Sequence, residues 1–222
     1  MKNILLLLFT SIILSSFAQE EHKVDLTELL KDIQQFESND GNMEMTFWIP
    51  RCYWRIALEG RDEIAPETLG LIEDAFKDYE LVCVLYVESN LDGTFDFTSE
   101  PKMRKDLIIK DSDGKKYKPL DTDELSEQVI YFDAMIKPMF SQMFGQMGEG
   151  MHFYYFEIKN KNDDNLINEF EASEFFVYHS NKEFKFSLPL PSLLPPKNCP
   201  IDNEEMKGNW KYCPIHGEAL TD

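Results

Sequence analysis

Positive charge is scarce in this chain. Lys and Arg number 22 against 41 Asp and Glu, for a formal charge of −19 at pH 7. A surface of that sign repels phosphate backbones and anionic headgroups, so nucleic acid is a poor partner. Histidine is also sparse, at four residues. There is no His-Glu-x-x-His pair and no Gly-x-Ser-x-Gly elbow, so the common metalloprotease and serine-hydrolase signatures are missing. Gly145-x-x-Gly148-x-Gly150 lacks the Lys and the strand-to-helix setting of a phosphate loop. No repeat in the roughly 20–50 residue range points to a solenoid or propeller. Beyond the first 18 residues, the longest apolar run is residues 81–87, far short of a bilayer.

What is present begins at the amino end. Lys2 precedes an apolar run over residues 4–14, and Ser16-Phe17-Ala18 supplies small residues at a peptidase site. This predicts a secretory signal peptide cut between Ala18 and Gln19, and an exported protein, periplasmic or secreted, with no stable membrane insertion afterwards. Four Cys in such a compartment can form disulfides.

Leu26, Leu29, Leu30, Ile33 and Phe36 share one helical stripe behind Asp25, a candidate N-cap. Residues 45–58 read as strand, interrupted at Pro50. Pro66 opens a helix carrying Leu69, Ile72 and Phe76. Residues 81–87 read as a central strand buried on both faces. Phe95 and Phe97 alternate with polar residues. Two short strands flank Asp111-Ser112-Asp113-Gly114, which matches the start of a calcium loop but lacks its later ligands and reads as a turn. Leu125, Val129, Phe132 and Ile136 line a helix that should break near Lys137, before Pro138. Residues 151–158, 174–179 and 183–188 are strand-like. Pro189, Pro191, Pro195 and Pro196 read as a stiff extended connector.

The last 26 residues hold one device twice: Cys199-Pro200-Ile201-Asp202, then Cys213-Pro214-Ile215-His216-Gly217. Each Cys-x-x-ligand turn directs two donor atoms into one small space. Two facing turns make a tetrahedral site, so Cys199, Asp202, Cys213 and His216 form a candidate zinc set. The intervening residues are expected to form a hairpin, with 203–207 going out and 210–212 returning. The alternative is a Cys199–Cys213 disulfide with Asp202 and His216 merely at turns. The residues from Cys213 through Gly217 to Leu220 resemble the second knuckle of a zinc ribbon, and are similar to short heavy-metal-binding modules in which Cys-Pro-x-Cys-Gly-x-x-Leu recurs. The resemblance covers residues 197–222 and implies a bound structural zinc. This sequence has Asp202 and His216 where the pattern has its second Cys, and Asn203 where it has Gly.

Three further constellations carry expectations. Met135, Met139 and Met143 recur every four residues with His152 beyond, a soft-donor set suited to Cu(I), or else core packing. Cys52 and Cys83 lie in two segments read as strands and are a candidate disulfide, or else buried thiols. His179 beside Ser180 reads as a hairpin residue. The expected architecture is mainly β or α+β: a signal peptide (1–18), an N-terminal helix and linker (19–42), a β-sandwich-like sheet domain (43–188) with a helical insertion near 122–145, a connector (189–196), and a zinc-ribbon-like module (197–222). The expected function is an exported binding or interaction protein, its partner a protein or small ligand. Copper handling and an enzyme assembled from distant residues are the alternatives.

Overall fold

The computed structural model describes residues 22–39, 41–61, 64–160 and 162–221, without the side chains of Ser141 and Met143. The expected signal peptide lies outside the described residues. In chain order the elements are α1 (Leu26–Ile33), β1 (Gln34–Asn39), β2 (Asn42–Ile49), α2 (Arg51–Leu58), α3 (Pro66–Phe76), β3 (Glu80–Ser89), β4 (Phe95–Phe97), α4 (Glu100–Asp106), β5 (Ile108–Lys110), β6 (Lys116–Tyr117), α5 (Glu127–Phe144), β7 (His152–Phe156), β8 (Ser173–His179), β9 (Lys182–Leu188), β10 (Lys197–Asn198) and β11 (Glu205–Met206). All strand pairs are antiparallel. The first sheet runs β1-β2-β3, with β4 and β7 sharing the far side of β3; the second runs β6-β5-β8-β9; β10 and β11 form a third.

β2 shows how the layers meet. Phe47 points to the helices, edge-on to Tyr53 of α2 and 5.9 Å from the Phe140 ring of α5. Trp48 points the other way, into Phe175 of β8 and Phe186 of β9. Helices therefore cover one face of the first sheet and the second sheet covers the other. Every residue from Glu44 to Ile49 is buried. β3 is buried the same way from Glu80 to Leu85, which is why it reads as an apolar run rather than an alternating one. The result is an α+β fold of stacked antiparallel sheets with helical insertions.

A few polar groups are buried here; Glu44 Oε2 has no hydrogen-bond partner, but others are paired. Thr46 Oγ1 and His179 Nε2 are hydrogen-bonded at 2.7 Å. Burial, followed by the nearby Lys182, pushes His179 down to about 4, so the ring is neutral. At the other end of β3, Glu80 accepts from Trp48 Nε1 at 2.9 Å and from Arg51 Nη1 at 2.8 Å. Arg51 also donates to the Ile167 carbonyl. Burial pushes Glu80 up to about 7, against Arg51 and Trp48, which favour its charged form.

Several expectations are corrected. Residues 52–58 are helix, not strand. Tyr53, Trp54 and Ala57 are buried at helical spacing, and Glu169 caps the Cys52 N–H at 3.1 Å, which Pro50 at the N-cap has no side chain to do. α5 continues through Pro138 without a break. Pro138 lies on the exposed side of that helix, where water can take the carbonyl its ring leaves unbonded. α1 ends at Ile33; Phe36 belongs to β1, so the expected linker is a strand hairpinned to β2. The Pro-rich connector is not extended throughout. It contains a 3-10 turn, Pro191–Leu193, with Leu190 and Leu193 buried, and the Ser192 N–H donates to Asp32 of α1 at 2.8 Å.

Candidate metal centre

The two terminal turns are built alike. Asn203 N–H donates to the Cys199 carbonyl at 2.8 Å, and Gly217 N–H to the Cys213 carbonyl at 2.8 Å. Cys199 N–H donates to the Glu204 carbonyl, and Cys213 N–H to the Glu218 carbonyl. The residue four beyond each Cys is left-handed, with φ of +61° at Asn203 and +73° at Gly217. Glycine takes that conformation freely and Asn is among the few others that tolerate it, so the missing glycine leaves the first turn intact. The expected hairpin is different: β11 pairs with β10, not with residues 210–212. A bridge between Asn198 and Thr221 closes the module at its base.

The turns bring three donors together. Cys199 Sγ, Cys213 Sγ and a His216 ring nitrogen lie within 4.8 Å of one another. His216 Nδ1 is 3.3 Å from Cys199 Sγ and 3.6 Å from Cys213 Sγ. Zn–S bonds of about 2.3 Å and Zn–N bonds of about 2.0–2.1 Å at a tetrahedral angle put S and N about 3.6 Å apart. The Cys2His set could therefore hold a metal ion. Asp202 is not in the mutual cluster. Its Oδ2 stands 3.7 Å from His216 Nδ1, while its Oδ1 accepts the Glu204 N–H at 3.1 Å.

The thiols are buried but not equivalent. Burial raises Cys199 above its ordinary range. Burial works the same way on Cys213, but the N–H groups of His216 and Ile215, with Cys199 and His216 side chains, outweigh it and hold that thiol low. The Glu204 N–H, with Cys199, keeps Asp202 ionised below the usual carboxylate range. Both cysteines are unbonded. The apolar support is slight: Cys199, Met206 and Cys213 are buried, with Leu220 against them.

The other candidate residues lie elsewhere. Met135 and Met139 are about half exposed on α5. His152 sits on β7, hydrogen-bonded through Nε2 to the Thr98 carbonyl at 2.8 Å, beside a cavity that α5 lines with Ile130, Asp133 and Lys137. At 3.6 residues per turn, Met135 and Met139 project roughly opposite to that side of the helix. The described soft donors are thus not brought together. Cys52 on α2 and Cys83 on β3 are free thiols, both raised by burial, which makes them poor nucleophiles. Asp111 accepts from its own loop, Asp113 N and Lys115 N, and from Tyr117 Oη, and so holds a turn.

Sequence reasoning missed the cavity around His152. Arg104 of α4, Asp133 and Lys137 of α5, and Tyr155 of β7 reach it from three separate elements with no motif linking them. Comparison with protein-family models, with curated proteins and with solved structures gave no match.

Proposed function

We propose that this is an exported binding protein whose carboxyl-terminal module folds around one structural zinc ion. Cys199, Cys213 and His216 are the core ligands and Asp202, adjacent to His216, completes the set. One observation carries the reading: two thiols and an imidazole converge at zinc-like separations on two turns of matching hydrogen-bond pattern. Thiolate and imidazole are the donors zinc prefers, and four protein ligands leave no open position for a reacting water, which favours a structural role. The module has too little apolar interior to fold alone, and a metal supplies what packing does not.

Elemental analysis of the purified full chain tests this. The expected result is one zinc per chain, lost in Cys213→Ala and in His216→Ala while the sheets stay folded. A native mass showing a Cys199–Cys213 disulfide and no retained ion would overturn it.

A further inference from the structure

Among the described residues, β7 has a strand partner on one side only. It pairs with β3 from Glu80↔Phe156 to Val84↔His152. Its other edge borders a cavity of about 450 Å³ between α4 and α5. Along an antiparallel strand, successive residues turn their N–H and C=O to opposite edges. The Tyr155 carbonyl turns away from β3, because it accepts from Leu120 N at 2.8 Å. Phe153, two residues earlier, must turn its N–H and C=O the same way. The parity of β3 agrees: the Tyr86 carbonyl accepts from Thr98 N on the β4 side, so even-numbered β3 residues are the ones that bond towards β4 and β7. Among the described residues, the N–H and C=O of Phe153 and the N–H of Tyr155 have no partner on that open edge.

The chain itself shows what fits there. Residues 118–120 lay one amide against Tyr155 and then leave for the 3-10 turn Thr122–Glu124, so the stretch beside Phe153 stays open. The strand cannot shift to cover its own edge. Phe153 is buried against Phe140, and the Tyr155 hydroxyl donates to Asp133 at 2.7 Å. The charged groups in the walls are each already paired: Lys137 with Asp133 at 2.6 Å, and Arg104 with both Glu100 at 2.7 Å and Asp121 at 3.3 Å. A small anion or cation would have to displace one of these partners. A neutral ligand with donors and acceptors alternating along its length would displace none, and an extended peptide backbone has that form. Leu120, Leu125 and Ile130 give one of its side chains an apolar wall.

We propose that this slot binds an extended peptide segment of another protein, added as a short strand to the edge of β7 by main-chain hydrogen bonds. The slot spans about three residues at roughly 3.3 Å each. It lies apart from the terminal thiols and does not rest on the zinc reading.

The experiment selects phage-displayed random heptapeptides on the full chain, then resynthesises the best with single N-methylated amides. Methylation at alternate positions should weaken binding about tenfold, the loss of one main-chain hydrogen bond, and intervening positions should be silent. In the free protein, the Phe153 and Tyr155 amides should exchange quickly with solvent while Tyr154 stays protected. Bound peptide should protect all three. Parallel runs on Cys213→Ala should give the same peptide response. The proposal is overturned if Phe153 and Tyr155 are protected like Tyr154 without ligand, if no peptide is enriched, or if methylation shows no alternation. Protection of the same amides by D-glucose, with no peptide enriched, would reassign the slot to saccharides.

Discussion

The sandwich and the terminal module hold themselves together by different means. In the sandwich, Trp48, Phe175 and Phe186 interlock across two sheets, and the Trp54 and Phe76 rings stack at 5.0 Å beneath the helices. Stability there is spread over many apolar contacts, and any one can be removed at finite cost. In the module, the interior is two thiols, one Met and one Leu, so a single ion bound by three or four side chains would decide whether it folds. Packing tolerates local damage, whereas a coordination centre fails as a unit.

The largest test of that contrast is metal removal. Chelation should free about 10 kcal/mol or more of apparent folding energy from the module alone. By NMR, the amide dispersion of residues 197–221 should collapse while β2 and β3 keep theirs; simultaneous loss of both would show the two regions to be one cooperative unit. Next, Trp48→Ala should cost about 3–5 kcal/mol in urea unfolding and leave the zinc content unchanged. Gly208 joins the two regions: a Cβ there would meet the Pro195 carbonyl at 2.4 Å. Gly208→Ala should therefore loosen the module from the connector, by about 1–3 kcal/mol, seen as faster amide exchange in residues 194–208 without metal loss.

A pH test sharpens the sandwich side. Glu80 is raised in the folded state to about 7 from an ordinary 4.5. The folded protein thus holds this proton more tightly than the unfolded chain. Its contribution is fullest below about pH 4.5 and is lost as pH rises to about 7, by roughly 3 kcal/mol at most. His179 works in the opposite direction: its folded value of about 4 lies below an ordinary 6.5, so its contribution is present above pH 6.5 and lost as pH falls towards 4. Glu80→Gln should flatten the decline between pH 4.5 and 7 in chemical unfolding, and an unchanged slope would remove Glu80 as its source. The smallest expected effect is Asn203→Gly, within about 0.5 kcal/mol because the left-handed backbone suits both residues.

The strands were readable where burial was one- or two-sided along a whole element, as in β3 and in the β8–β9 hairpin. There Ser180 and Asn181, both at positive φ, form the tight turn between His179 and Lys182. The convergence of Cys199, Cys213 and His216 was readable because knuckles repeat residue types at fixed offsets. α2 was not, because Cys52-Tyr53-Trp54-Arg55-Ile56 has strand-like residue types and its cap comes from Glu169, far along the chain. Asp202 matched the pattern by spacing, yet its Oδ1 is taken up by the Glu204 N–H. The slot beside β7 could not be read at all: it is made of unpaired main-chain groups, which every residue type carries.

The bridge between Asn198 and Thr221 makes the module a closed loop whose chain enters and leaves by the same door. Ile201 and Ile215, one at each knuckle, lie within that loop yet stay about two-thirds uncovered. A segment grafted after Thr221 would leave the module beside Asn198, where the chain enters it.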